Sequence, residues 1–258
     1  MSLYITSLNS GSNGNCYYIG NEQEAVLVDA GISCREIERR MTSLGLSVGN
    51  IKAIFVSHEH SDHIRGVGVL SRKHSIPVYM SAQTCLSSII PVEPDLIRTF
   101  QSNETINTGS LQVDAFPKLH DSIDPYSFTV HYDGITIGVF TDIGEPCANV
   151  IHHFGRCHAA FLEANYDERM LDDGTYPVYL KRRIKSQTGH LSNNQALELF
   201  TKHKAPHLQH LILSHLSEHN NHPGIVSRLF EPHANGTRIR IASRYRETEV
   251  ICVKVLKC

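Results

Sequence analysis

Residues 53–63 read AIFVSHEHSDH, and the rest of the chain can be read outward from them. Ala53 to Ser57 is a short apolar run suited to a buried strand. It feeds a polar turn carrying His58, His60, Asp62 and His63, after which Ile64 to His74 has a helical pattern. While the chain stays extended, residues two apart leave the same face, so His58 and His60 can grip one ion. The turn into the helix then rotates the next residues round, which lets Asp62 and His63 serve a second ion beside the first. Four side chains of ligand type within six residues exceed what packing asks for, and imidazole with carboxylate is the donor set of a catalytic zinc-type site. A solvated polar loop is the ordinary alternative.

Upstream, Tyr4 to Leu8, Cys16 to Ile19 and Ala25 to Asp29 read as a β-meander, with Asn9 to Asn15 as a turn. Ser33 with Glu36 forms a capping-box pattern that opens a helix to Leu44, and Gly45 stops it. Downstream, Leu111 to Phe116, Phe128 to Tyr132 and Ile135 to Phe140 read as strands, the last two joined by the hairpin dipeptide Asp133-Gly134. Ala159 to Glu163 and Leu208 to Leu213 are further strands, as are Arg238 to Ile241 and Glu249 to Val255. Helices are expected over Val178 to Ile184, from the capping box Ser192/Gln195 to Lys204, and over Pro223 to Phe230. No repeat, low-complexity tract or linker interrupts this order, so one domain over residues 1–258 is expected.

Composition narrows the function. A formal net charge of -2 with dispersed Lys and Arg argues against long-range capture of nucleic acid or an anionic membrane, so any nucleic-acid contact must be local. Seven cysteines, an odd number in no CxxC arrangement, together with the lack of a secretory leader pattern, fit a reducing cytoplasm. No apolar stretch approaches the roughly 20 residues that cross a bilayer, so no membrane partner is expected. Histidine is the outlier, at 17 residues against four Met and no Trp, and it directs attention to metal chemistry.

One motif cannot close two coordination spheres. His120 follows the strand ending near Phe116, Asp142 ends the strand ITIGVFTD, and His215 follows the apolar run LQHLILS. Each sits just past a strand, where a rigid sheet holds functional groups; taken singly, a residue in such a place is more often a satisfied turn residue. Asp142 has two carboxylate oxygens and can bridge two ions, which a histidine cannot.

With these residues in view, the chain resembles the metallo-β-lactamase superfamily, whose HxHxDH signature is matched by His58, His60, Asp62 and His63. Within it the chain is similar to the YycJ/WalJ-like group. SGSNGNC, VLVDAG, SHEHSDH, LHDSIDP, FTDIG, EANYD, GHLSN and LSHLSEHNN occur in the expected order from Ser10 to Asn221. The resemblance implies an α+β fold, a four-layer αββα sandwich with the metals at one edge. It places His58, His60 and His120 on one ion, Asp62, His63 and His215 on the other, and Asp142 between them. Asp29 would support the ligand loop without binding metal. His60 stands where redox di-iron relatives carry Glu, and the chain is too short for the inserted domain of the β-CASP nucleases. It also shows no long arm of the kind tRNA-processing relatives use.

Two divalent ions carry +4; Asp62, Asp142 and a bridging hydroxide leave about +1, which favours an anionic substrate. A two-metal clamp suits phosphodiester hydrolysis, and the resembled group points to 5′-to-3′ exonuclease action on DNA ends. Hydrolysis of a small cyclic phosphodiester, thioester or lactam is the alternative, and a metal-binding regulatory protein with vestigial turnover is the alternative of another class. Zinc is the expected metal, with manganese and iron also compatible with the donors. Asp62 and His190 are the expected catalytic groups. His190 and Ser192, just ahead of a capped helix whose N–H groups suit a phosphate, are expected at the substrate. So are Arg182 and Arg183 from the basic cluster Lys181 to Lys185, whose bland reading is a solvated helix face. Oligomeric state is not legible.

Overall fold

The computed structural model describes residues 1–87 and 90–255. Its first sheet is laid down almost in chain order: β1 (Ser2–Asn9), β2 (Cys16–Gly20), β3 (Ala25–Val28), β4 (Ile51–Phe55), β5 (Val78–Ser81) and β6 (Ile97–Phe100). The second sheet follows as β7 (Glu104–Thr108), β8 (Leu111–Pro117), β9 (Tyr126–Tyr132), β10 (Ile135–Phe140), β11 (Ala159–Glu163), β12 (His210–Ser214) and β13 (Arg238–Ile241). The last strand, β14 (Ile251–Lys254), returns to the first sheet and pairs antiparallel with β1. In each sheet the early strands are antiparallel and the later ones parallel: β3 to β6 in the first, β10 to β13 in the second.

Parallel neighbours need a crossover, and the helices supply it. In the first half these are α1 (Cys34–Ser43), α2 (Ser61–Ile64), α3 (Val67–His74) and α4 (Ala82–Ser87). In the second half they are α5 (Ala148–Phe154), α6 (Glu168–Asp173), α7 (Val178–Ile184), α8 (Asn193–His203) and α9 (Pro223–Phe230). Strands covered on both faces read as continuous apolar runs, which is why AIFV and LILS carry no alternation. In β4, Ala53 and Phe55 face the core between the sheets, while Ile54 packs outward with Ile37, Met41 and Leu70 of α1 and α3. In β12, Ile212 faces inward and Leu211 and Leu213 pack outward with Phe154, Phe200 and Phe230. The result is the expected four-layer αββα sandwich, bonded through its middle by contacts such as Phe55–Phe128 (5.4 Å) and Tyr17–Phe161 (4.9 Å).

Local signals behave as their chemistry demands, with two exceptions. Asp133 and Gly134 take φ of 48° and 78°, the left-handed pair of a tight hairpin turn between β9 and β10. The Ser192/Gln195 capping box closes in both directions. At α1, Ser33 accepts from Glu36 N, but the Glu36 carboxylate does not return to Ser33; it pairs with Arg39 and Arg40 instead, so that box is half formed. The helix expected over Ile64 to His74 is broken at Gly66, whose N–H bonds Ala30 O at 2.7 Å. This break lets the ligand loop lie directly on the end of β3. A Cβ at Gly31 would fall 1.6 Å from Asp62 O, so only glycine permits that approach.

Candidate metal centre

In open sheets with parallel strands, ligands gather beyond the carboxyl ends of those strands. Asp29 follows β3, His58 lies just beyond β4, Asp142 follows β10, Glu163 ends β11 and His215 follows β12. Asp29, Asp142 and His215 have φ of 60°, 55° and 55°, a left-handed conformation costing about 1–3 kcal/mol each in a residue with a Cβ. Such strain persists where surrounding structure enforces it, and here it ends three strands at the same site. His120 arrives from the antiparallel side, in the loop after β8.

Two groups of side chains form. His58 Nε2 lies 3.0 Å from His60 Nδ1, which is 3.4 Å from His120 Nε2. Beside them, Asp62 Oδ2 is 3.4 Å from His63 Nε2 and 3.5 Å from His215 Nε2. Asp142 stands between the groups: its Oδ2 is 3.1 Å from His63 Nε2, and its Oδ1 is 3.6 Å from His215 Nε2 and 3.8 Å from His120 Nε2. The structure thus brings together all seven residues expected at the metals.

Hydrogen bonds behind this layer set which nitrogen four of the five imidazoles present, while His60 turns Nδ1 to His58 and His120. His63 Nδ1 donates to Asp29 Oδ2 (2.7 Å), His215 Nδ1 to Glu163 Oε1 (3.0 Å) and His120 Nδ1 to Gly189 O (3.1 Å). His58 Nδ1 donates to Ser57 Oγ (2.9 Å), whose own proton goes to Asp29 Oδ2 (2.9 Å). Carbonyl and carboxylate oxygens only accept, so Nδ1 carries a proton and Nε2 is the atom aimed into the cluster, the one a metal ion would take. Asn15 Nδ2 steadies Asp62 Oδ2 at 3.2 Å.

The donor set fits divalent metal. Asp142 Oδ2 and His215 Nε2 are buried and have no hydrogen-bond partner, a cost of about 1–3 kcal/mol each that a cation between them removes. The electrostatics agree. Burial opposes a charge on His63, yet Asp142, Asp29 and Asp62 hold its pKa well above the usual imidazole range. Burial likewise opposes a charge on His215, but Asp142, Asp62 and Glu163 push it up to about 10. Buried carboxylates therefore create a negative potential that calls for positive charge. On the other side, burial holds His120 down to about 4, which leaves its lone pair free.

The remaining expected residues divide. His190 sits over the cluster, its Nδ1 bonded to Glu163 Oε1 at 2.8 Å and 3.8 Å from Asp142 Oδ1. Arg183 pairs with Asp121, the neighbour of His120, and so lies at the mouth; Arg182 is exposed with no ion pair among the described residues. Lys185 pairs with the Asp172 carboxylate and Lys181 donates to the Asp172 backbone carbonyl, so both ammonium groups have partners within the chain. Ser192 does not face a ligand. It is buried, its hydroxyl accepts from Gln195 N and donates to Glu168 Oε1, and its own N–H goes to Gln195 Oε1. Asn193 N is bonded to Tyr166 O as well, so the start of α8 is not the open phosphate site the sequence suggested.

Sequence reasoning missed Glu163. It is fully buried, and its two oxygens accept from His190, His215, Ile143 N and Leu191 N. The available signal was a lone carboxylate closing the otherwise apolar strand AAFLE.

A sequence profile described as "Beta-lactamase superfamily domain" matches residues 24–216. This chain belongs to the metallo-β-lactamase superfamily. Curated members similar to it include the exodeoxyribonuclease YycJ of Bacillus anthracis, 34% identical over 86% of this chain and 85% of that protein. The exodeoxyribonuclease WalJ of Streptococcus pneumoniae serotype 2 (strain D39) is 31% identical over 83% of this chain and 81% of its own length. Among solved structures, Zn(2+)-bound PqqB from Methylobacterium extorquens superposes with a TM-score of 0.72, covering 98% of this chain and 100% of that one at 12% identity, a likeness of fold. As a superfamily member with this ligand cluster, the chain is a metal-dependent hydrolase. Among the described residues no helix is long and apolar enough to cross a membrane.

Proposed function

We propose that the protein is a two-metal phosphodiesterase that degrades DNA from its ends in the 5′-to-3′ direction. The observation that carries this reading is Asp142 standing between two triads of ligand atoms, with one oxygen buried and unsatisfied. The 31–34% identity to two exodeoxyribonucleases over most of the chain supports DNA as the substrate. His58, His60 and His120 would hold one ion, Asp62, His63 and His215 the other, and Asp142 both. Zinc suits these donors best, with manganese and iron as the other compatible ions. Bound there, two such ions supply a water of lowered pKa and positive charge facing both oxygens of an in-line displacement.

The chain's own groups do the rest. Asp29 and Glu163 lock the imidazoles, and Asp62 orients the attacking side of the site. His190, with Nδ1 held by the Glu163 carboxylate, turns Nε2 to the substrate. Two roles were open to it from sequence: clamping the phosphate beside a helix terminus, or protonating the departing alkoxide. The occupied start of α8 removes the argument for the clamp, and the Glu163 carboxylate, by holding Nδ1, fixes the ring with Nε2 free to act on a leaving group, which favours proton donation. His190→Ala should therefore keep its metal and lose about 10²–10⁴-fold in DNA turnover. Most of that loss should vanish on a phosphodiester with a p-nitrophenolate leaving group, which needs no proton. A defect of equal size on both substrates would instead restore the clamp.

Metal-defined assays on DNA labelled at either end test the function itself. Mononucleotides should be released progressively from the 5′ terminus, and the rate should fall with rising salt as phosphate contacts release counterions. Replacing Arg182 and Arg183 with Gln should flatten that salt slope. Absence of DNA cleavage by fully metal-loaded protein would refute the reading.

A further inference from the structure

Helix α7 presents a face of which the reaction described so far uses only the two arginines. Tyr179, Arg182 and Arg183 stand at i, i+3 and i+4, so they share one side of the helix. Tyr179 is 74% exposed, and both arginines are exposed beside it. A singly exposed ring is ordinary on a surface; this one shares its helix face with two exposed guanidinium groups.

The position of α7 links this face to the metal centre. Its carboxyl end lies against the backbone of Gly189 and His190: Ile184 O accepts from His190 N at 2.9 Å, and a Cβ at Gly189 would meet Ile184 O at 2.2 Å. Gly189 O in turn holds His120. Across the mouth, Arg183 pairs with Asp121, in the loop that also exposes Leu119 and Ile123. That loop is tied back to the ligand motif by Ile123 N donating to Glu59 Oε1 at 3.0 Å. The rim thus combines one aromatic ring, two apolar side chains and two guanidinium groups, on elements that directly support metal-side residues.

We propose that this face of α7 is the docking platform for a single-stranded DNA end, with Tyr179 stacking on an unpaired base and Arg182 holding a backbone phosphate. The inference rests on the phosphodiesterase reading above and deepens it by naming the form of DNA. Charge complementarity selects a polyanion, since Arg182 has no ion pair among the described residues. The ring favours unpaired bases, because a single strand offers a base face at every nucleotide whereas a duplex leaves one uncovered only at its terminal pair. Tyr179 and Arg183 are one helical turn apart, about 6 Å along the axis, so a strand lying on this face is led toward Asp121 and the cluster behind it. Aromatic ring and cationic groove are the combination that single-strand binders use.

Steady-state kinetics of the metal-loaded enzyme test the platform, with end-labelled single-stranded DNA and bis(p-nitrophenyl) phosphate as substrates. Tyr179→Ala should raise KM for the single strand about tenfold while leaving kcat and the small substrate unchanged, and Tyr179→Phe should restore KM. Irradiation of single strands carrying 5-iodouracil near the end should cross-link to Tyr179. An unaltered KM in Tyr179→Ala, with wild-type DNA cleavage intact, overturns the platform alone. Wild-type enzyme that hydrolyses the small phosphodiester but neither binds nor cuts DNA overturns the nuclease reading and the platform with it. Concentration-dependent dimerisation that Tyr179→Ala abolishes, with unchanged KM, would assign the face to a second copy of this chain and likewise overturn the proposal.

Discussion

Asp142→Ala is expected to lower the affinity for both metal ions at once and to cut turnover on any phosphodiester by on the order of a thousandfold, the equivalent of several kcal/mol. The other proposed ligands lie in one group or the other, so their loss should weaken one ion first. Asp142 alone approaches His63 and His215 on one side and His120 on the other. Because φ at this position is 55°, alanine adds backbone strain, and Asp142→Asn provides a second variant that tolerates the conformation while removing the charge. The two states of the protein should respond by different routes. Without metal, the Asp142 carboxylate helps to hold the pKa of His63 and His215 up, so Asp142→Asn should destabilise the metal-free protein and lower the pH at which these imidazoles lose their protons. With metal, stabilisation grows with the ratio of free ion to Kd, so the same variant should lose most of the rise in Tm that metal confers. Elemental analysis and paired melting curves decide the matter. Two tightly held ions and full turnover in both variants would mean that Asp142 does not bridge.

The second large effect is expected at Glu163, which binds no metal in this arrangement. Its carboxylate receives four donors, His190 Nδ1, His215 Nδ1, Ile143 N and Leu191 N, and has none to offer. His190 and His215 overcome a burial that would otherwise raise its pKa, and hold it at about 2. Glu163→Gln nearly conserves shape, but it must turn an NH₂ toward one of those donors. That leaves two buried donors facing each other, at a cost of about 1–3 kcal/mol. With His215 no longer oriented, metal affinity on its side should fall about 10–100-fold, the usual effect of removing a partner behind a ligand. Turnover should fall further, because His190 loses the same anchor. A double-mutant cycle separates the two routes: once His190 is Ala, Glu163→Gln should add only its metal-affinity defect. Wild-type metal affinity and Tm in Glu163→Gln would show that this carboxylate positions nothing.

Much of the centre was legible because it is local. In AIFVSHEHSDH an extended segment runs into a turn, and spacing alone puts His58 with His60 and swings Asp62 and His63 away. The Asp133-Gly134 hairpin and the cap of α8 are equally local, since each depends on backbone angles and hydrogen bonds within a few residues. Continuous apolar runs such as Leu211 to Leu213 announced strands buried on both faces. The short strands β5, β6 and β7 did not announce themselves: β6 carries exposed Arg98 and Thr99, and its strand character comes from pairing with β5, as that of β7 comes from pairing with β8.

What the sequence by itself determined is therefore the ligand motif, the strands covered on both sides and the capped helices. Likeness to a family had to supply the assignment of His120, Asp142 and His215 to one place. Tertiary structure alone decided the rest. The parallel register that sets Glu163 beside Ser214 carries this carboxylate to His215 and His190, and no periodicity records such a partnership across some fifty residues. The same packing lets Tyr166, Glu163 and Glu168 occupy the start of α8, which turned an apparent phosphate site into a structural joint. It also ties Arg183 to Asp121 and thereby sets α7 at the mouth. Local spacing is written in backbone geometry, whereas contacts between distant segments exist only once two sheets have closed over a shared core and fixed which strand ends meet.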